Sequence, residues 1–154
     1  MIDGKEVMAD FQFVGNRVSS FYLETKILDT KSQKVVTDFQ YDYTINECEV
    51  ANSKYFGVIE FVIHCKAKAG RMNLFKIDLS MEGAFIGNPE TLTKERFEGM
   101  LEQNGIVTLS QISRSFLLSV TSQSGINPPV RLPMINVAAL NEKKRAEKEK
   151  MPKE

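Results

Sequence analysis

Few side chains in this sequence are of the types that carry out chemistry. His64 is the only histidine, and the alternating pattern around it places it beside Glu60 on a polar strand face. A histidine becomes a catalytic base when it activates a serine or cysteine nucleophile, and the sequence contains no nucleophile-elbow motif that would supply one. We therefore expect no catalytic residue at this position.

Metal and phosphate sites are also poorly supported. Asp38 and Asp42 share one strand face, but four residues of extended chain separate them by about 13 Å, which is too far to share a metal ion. Gly83 and Gly87 are isolated, with no Gly-x-x-x-x-Gly-Lys phosphate loop. The sequence predicts no metal ligand and no cofactor, and a protein that is not an enzyme.

Composition limits the class of protein further. The 20 basic and 20 acidic residues cancel, which argues against nucleic acid and anionic lipid as partners. Cys48 and Cys65 have neither zinc-site spacing nor the density of a disulfide scaffold, so we expect a reducing, cytoplasmic compartment. The charged N-terminus is not a signal peptide, and no stretch approaches about 18 uncharged apolar residues, so we expect no membrane insertion.

Strands must position most of these side chains. In "DFQYDYTI" the residues Phe39, Tyr41, Tyr43 and Ile45 alternate with polar residues, which predicts a half-buried strand. The segments "VIEFVIHCKA" and "LFKIDLSME" alternate in the same way around a turn at Gly70 and predict a hairpin. A fourth strand is expected in "FYLETKIL", residues 21–28, followed by the polar connection "DTKSQK". The four strands should form an antiparallel sheet with one solvated face.

Helical periodicity begins near residue 91. We expect a short helix over 91–104 that Gly105 stops, a longer helix over 106–124 that Gly125 ends, and a C-terminal helix capped by Asn136. The long helix has an apolar stripe, about 140° wide, that should lie on the sheet. Its residues are Ile106, Leu109, Ile112, Phe116, Leu117 and Val120. The sequence thus predicts a single α+β domain, globular over about 11–141, with a charged tail at 142–154.

The other side of the long helix is unusual because it lacks charge. It carries Ser115, Ser119 and Ser122, and Arg114 is the only charged residue between 103 and 126. A solvated helix in a chain that is 26% charged would carry about four to six charges over this length. Small hydroxyl side chains allow a second helix to approach closely, so we interpret these serines as an oligomer interface. An exposed serine-rich face is the alternative interpretation.

The stretch "GINPPVRLPMINVAAL", residues 125–140, combines three prolines with large apolar side chains. Its first part, residues 125–136, is called the proline segment below. Proline fixes φ and lacks an N–H donor, so this segment should run extended outside the sheet interior. Its apolar side chains then either cover the core or, beside the aromatic strand at 39–43, form an apolar groove suited to unfolded polypeptide.

Several of these segments resemble the SecB-like protein-export chaperones. "FQF", "DFQYDYTI", "MEGAFIG" and "NPPVRLPMINVAAL" follow the order and spacing of that family over about residues 11–141. The matches to its C-terminal signature are Pro128, Pro129, Val130, Leu132, Ile135, Asn136, Ala139 and Leu140. The resemblance implies a four-stranded antiparallel sheet with helices. It also implies a homotetramer, a dimer of dimers whose long helices lie between two eight-stranded sheets.

The same resemblance implies an ATP-independent holdase that binds non-native polypeptides for protein export. The client-binding residues it implies are Phe39, Tyr41, Tyr43, Val130, Leu132 and Ile135. Glu24 and Asp78 match acidic positions at which family members dock to the SecA motor, although Ser20 and Lys76 interrupt that acidic face. Two alternatives remain. One is a SecB-like chaperone dedicated to an antitoxin of a toxin–antitoxin system, and the other is a small oligomeric ligand-binding scaffold or enzyme.

Overall fold

The structure is a computed structural model that describes residues 1–26 and 34–150. Four strands form one antiparallel sheet in the order β1-β4-β3-β2. They are β1 (Phe11–Thr25), β2 (Val35–Ala51), β3 (Lys54–Ala69) and β4 (Met72–Gly87). The helical elements are α1 (Lys94–Met100), a π-helical turn (Leu101–Gly105), α2 (Ile106–Gln123) and α3 (Val137–Lys150). The predicted α+β fold is confirmed.

The central strands follow the predicted alternation. Ile59, Phe61, Ile63 and Cys65 of β3 are fully buried, and the residues between them lie on the other, more exposed face. Ile77, Leu79 and Met81 of β4 extend the same core. The predicted turn is also present, since Gly70 has a φ of 60°, a left-handed conformation that glycine adopts without a steric penalty. These two strands form the floor on which the helices pack.

Strand β1 starts ten residues earlier than the sequence predicts, at Phe11 rather than Phe21. Its pairing with β4 shifts register twice, between Phe13 and Gly15 and between Val18 and Ser20. Each shift inserts a residue and so reverses which side chains face the core, which hides the alternation. The last residues of the predicted strand, Ile27 and Leu28, and most of the polar connection lie outside the described residues.

The expected break at Gly105 is wrong. Gly105 has helical angles, φ −61° and ψ −48°, and the chain passes through the π-helical turn directly into α2. Glycine is needed here for close packing rather than for a stop, because a Cβ at this position would lie 3.2 Å from Cγ2 of Ile59. One helical rod therefore crosses the sheet from residue 94 to residue 123.

The buried face of α2 is rotated from the predicted stripe. Its buried residues are Ile106, Leu109, Ser110, Ser113, Leu117 and Thr121, whereas Ile112, Phe116 and Val120 are half-buried. Three of the buried side chains, Ser110, Ser113 and Thr121, carry hydroxyl groups, so a search for apolar periodicity does not predict that they are buried. Ser115, Ser119 and Ser122 are exposed in this chain, which fits both the predicted interface and the alternative of a solvent-exposed serine face.

Helix α3 begins as predicted, because the Asn136 side chain accepts a hydrogen bond from the N–H of Ala139 at 3.1 Å. It continues through the charged stretch to Lys150, and residues 151–154 lie outside the described part of the chain. Two ion pairs tie it to the rest of the fold, Lys144 with Asp42 of β2 and Arg145 with Glu102 of the π-helical turn. None of the helices in residues 1–26 and 34–150 has the length and apolar composition to cross a bilayer.

Candidate functional site

The proline segment runs back along α2. Helix α2 ends at Gln123, and Gly125, with a φ of 77°, turns the chain as the sequence predicts. The N–H of Val130 is hydrogen-bonded to Thr121. The carbonyl of Pro133, three residues later, is hydrogen-bonded to Arg114, which lies two turns earlier in α2. The segment is thus an extended strip that lies beside the helix without entering the sheet.

Two side chains of α2 anchor this strip. The buried Thr121 hydroxyl accepts a hydrogen bond from the N–H of Val130 at 2.9 Å and donates to the Leu117 carbonyl at 2.6 Å. The Arg114 guanidinium donates to the carbonyls of Leu132 at 2.7 Å and Pro133 at 3.0 Å. These bonds replace the sheet partners that a proline-rich backbone cannot have.

Sequence reasoning missed both anchors. In the sequence, Arg114 stands out only as the single charged residue of a long helix, and nothing distinguishes Thr121 from the other hydroxyl residues. One signal could have revealed the role of Arg114. It is a single arginine in an otherwise uncharged helix, followed by a proline-rich segment whose carbonyls need donors.

A groove of about 860 Å³ lies between the proline segment and the sheet. It is formed by the start of β2, the end of β1, the start of β4 and the beginning of the strip. Its apolar lining residues are Val35, Phe39, Leu74, Phe75, Ile126, Pro128, Pro129 and Val130. The structure therefore brings together one predicted aromatic residue, Phe39, and one predicted residue of the strip, Val130. Volumes of this size are typical of binding clefts.

Tyr41 neighbours the groove residue Phe39 but does not itself line the groove. Its half-buried ring stacks against Phe39 and Phe61, with ring centroids 6.3 Å and 6.0 Å away. Burial raises the pKa of its phenol to about 12, so the group is neutral at physiological pH. Among the described residues its buried hydroxyl has no hydrogen-bond partner. A neutral aromatic floor of this kind favours apolar contact over ionic contact.

The remaining predicted client-binding residues belong to the interior of the single chain. Tyr43 is 4% exposed and Leu132 is 2% exposed, and both lie in the core cluster, with Ile135 packed against it. The Nζ atom of Lys144 lies 5.7 Å above the centre of the Tyr43 ring, so α3 covers this end of the aromatic stripe. The open groove is therefore confined to the end of the stripe at Phe39.

Both predicted motor-docking carboxylates lie on the outer sheet face, and neither lines the groove. Glu24 accepts a hydrogen bond from the Tyr22 hydroxyl at 3.0 Å. Nδ1 of His64 lies 2.5 Å from one carboxylate oxygen of Asp78, and Lys76 lies 3.2 Å from the other. Partial burial alone would raise the pKa of Asp78, but the hydrogen bonds from His64 and Lys76 outweigh it and lower that pKa. Asp78 is thus an anion with two local partners.

Within the described ranges, no three His, Cys, Asp or Glu side chains converge as a metal site. Both cysteines are free. Cys65 lies in the core, where burial raises the pKa of its thiol to about 12. A protonated, inaccessible thiol is a poor nucleophile.

Replacing Thr121 by valine should lower the free energy of unfolding by about 1–2 kcal/mol, because it leaves the buried N–H of Val130 without an acceptor. Thr121→Ser is the matched control, since it removes a methyl group and keeps the oxygen. Amide hydrogen exchange at Val130 separates the two effects, and protection should be lost in the valine variant alone. Equal protection in both variants would contradict this account of the anchor.

The arrangement of a four-stranded antiparallel sheet, a long covering helix, an extended strip and a C-terminal helix is a SecB-like fold. No family model matches this chain, and no curated protein matches it. Among solved structures it is similar to Rv1957 of Mycobacterium tuberculosis, a SecB-like chaperone in complex with a ChAD peptide from the HigA1 antitoxin. The TM-score is 0.68 at 16% identity, over 86% of this chain and 96% of that chain. A Streptococcus agalactiae protein of unknown function gives a TM-score of 0.47 at 14% identity, over 80% and 97% of the two chains.

Proposed function

We propose that this protein is an ATP-independent holdase of the SecB type that binds extended apolar segments of non-native polypeptides. The groove between β2 and the proline segment carries this proposal, because it offers aromatic and aliphatic side chains to a ligand in a SecB-like fold. An unfolded chain presents apolar residues that such a groove accepts with little demand on sequence. Binding of this kind requires no nucleotide and no catalytic group.

The proposal includes a cytoplasmic homotetramer. The exposed, uncharged side of α2, with Ser115, Ser119 and Ser122, is the proposed contact between subunits. Four grooves on one particle would hold a single unfolded chain at several points, so weak individual contacts would add up to tight overall binding. Phe39 and Val130 are the proposed central contacts, while Tyr41, Tyr43, Leu132 and Ile135 support them from below.

Two physiological roles fit this binding activity. In the first, the protein delivers precursors for export and docks to the SecA motor through Glu24 and Asp78. In the second, it protects an antitoxin, a role favoured by the antitoxin peptide bound to the similar chaperone of known structure. Recovery of many precursors with the protein from its native host would favour the first role, and recovery of one antitoxin would favour the second.

The direct test is suppression of aggregation. The purified protein should elute near four times 17.4 kDa and should prevent aggregation of an unfolded client at stoichiometric concentration. The half-buried ring of Phe39 contributes apolar area to the groove, so Phe39→Ala should weaken client binding roughly five- to tenfold.

Val50→Ala is the matched control for this variant. Val50 lies near the far end of the same strand, is 62% exposed and does not line the groove. Its replacement should leave client affinity unchanged. A protein without any protective effect on an unfolded client would refute the holdase proposal, and equal affinities for the two variants would place the binding surface elsewhere.

A further inference from the structure

The charge of the groove differs from that of the whole chain. Two ionisable side chains line it, Lys26 just after β1 and Arg131 in the proline segment, and both are cations. Both are exposed, so their charged groups are available at the rim. No carboxylate lies among the lining residues in the described part of the chain. A protein with zero net charge thus presents a groove with a positive rim.

The position of the nearest acidic residues determines how far this rim is neutralised. Glu24 and Asp38 adjoin the groove residues Thr25 and Phe39, but successive side chains of a strand point to opposite faces. Glu24 accepts a hydrogen bond from Tyr22 on the outer face, and Asp38 lies opposite Lys66 in the β2–β3 register. Asp38 therefore lies away from the groove, whereas Glu24 shares the outer face with Lys26, and both line a small neighbouring pocket without forming an ion pair in the described part of the chain. Arg131 has no carboxylate beside it among the groove residues.

Five of the sixteen other Lys and Arg residues in the described ranges form ion pairs. Arg17 lies 2.5 Å from Glu82, Arg145 lies 3.0 Å from Glu102, and Lys144 pairs with Asp42. Over residues 1–26 and 34–150, neither Lys26 nor Arg131 lies within ion-pair distance of a carboxylate. The rim thus holds two cations that can pair with a ligand at no cost to an existing pair.

We infer, on the basis of the proposed function, that the groove prefers apolar polypeptide segments flanked by Asp or Glu. The apolar floor takes the central side chains of the segment, and Lys26 and Arg131 attract the flanking carboxylates. Exposed ion pairs contribute only modestly to affinity and are screened over about 8–10 Å at moderate salt. The preference is therefore moderate and depends on ionic strength.

Three labelled peptides with one common apolar core test this inference. The core is flanked by two glutamates, two glutamines or two lysines, and binding to the full-length protein is measured by fluorescence anisotropy. At about 50 mM salt the glutamate peptide should bind roughly three- to tenfold more tightly than the glutamine peptide, and the lysine peptide should bind most weakly. At about 500 mM salt the three affinities should converge.

Charge reversal locates the effect. Arg131→Glu and Lys26→Glu should each remove or invert the preference for the glutamate peptide, and the two variants test the rim independently. Lys54→Glu is the control, because this exposed first residue of β3 pairs with Ala51 at the other end of β2, and the substitution makes the same change in net charge.

The possible results separate this inference from the function on which it rests. Equal binding of the three peptides, or a preference for lysine, would overturn the acidic preference while leaving the holdase proposal intact. Failure of every peptide to bind would remove both. A preference that survives both rim substitutions would also overturn the inference, because the selectivity would then arise elsewhere.

Discussion

Replacing Phe97 by alanine is expected to lower the free energy of unfolding by about 3–5 kcal/mol. The ring is completely buried, with centroids 5.6 Å from Phe11 and 5.4 Å from Tyr55. It fills the space above Gly87, where an added Cβ would lie 2.6 Å from its Cδ2 atom. Backbone on one side and rings on the other leave little freedom to collapse into the cavity, so the loss should be near the upper end of the range for such substitutions.

Urea denaturation measures this effect, and Phe13→Ala is its matched control. Phe13 also lies on the inward side of the sheet and contacts Phe85 at a ring distance of 5.3 Å, but it is 41% exposed. Its replacement should lower the free energy of unfolding by about 1–2 kcal/mol, because a smaller part of its apolar surface is buried. Similar losses for the two phenylalanines would contradict the assignment of Phe97 to the centre of the core.

Arg114→Met should lower the free energy of unfolding by about 2–3 kcal/mol, because hydrogen bonds from a charged donor to the carbonyls of Leu132 and Pro133 are lost. It should also weaken client binding, since Val130 of the same strip forms one wall of the groove. Urea denaturation and client titration measure the two effects.

Two further variants isolate the geometry of this anchor. Arg131→Met removes a nearby exposed arginine and should change stability by less than about 0.5 kcal/mol. Arg114→Lys keeps the charge but loses the planar fork that spans two carbonyls, so it should fall between wild type and methionine. If Arg114→Met lowered the free energy of unfolding no more than Arg131→Met, the anchor would make no contribution to stability.

The parts of the fold that sequence predicts correctly are those with local signals. Strands β3 and β4 alternate regularly over Ile59–Cys65 and Ile77–Phe85, Gly70 and Gly125 adopt positive φ at the turns where glycine is expected, and Asn136 caps its helix. Each of these inferences depends on a short stretch of chain. None requires knowledge of what packs against it.

The errors arise where distant contacts decide the outcome. The inward side chains of β1 change parity at each register shift, and those shifts are visible only in its pairing with β4. Gly105 looks like a helix stop, but its role is to let the helix approach Ile59. The buried side of α2 includes Ser113 and Thr121, which an apolar periodicity cannot identify.

The candidate site was predictable in outline but not in extent. The aromatic residues of β2 share one face, and the pattern is the same whether that face is core or groove. The distinction comes from α3, whose Lys144 covers Tyr43 and leaves Phe39 at the open end. The extent of the groove therefore depends on the contact between Lys144 of α3 and Tyr43 of β2. These two residues are remote in sequence.

The location of both anchors on α2 has a mechanical consequence. Thr121 and Arg114 hold the strip from one side of the rod, and the exposed serines lie on its other side. A displacement of α2 would therefore move the proline segment, which forms one wall of the groove, along with it. The side of α2 that is proposed to contact another subunit and the wall of the groove are therefore connected through a single helix.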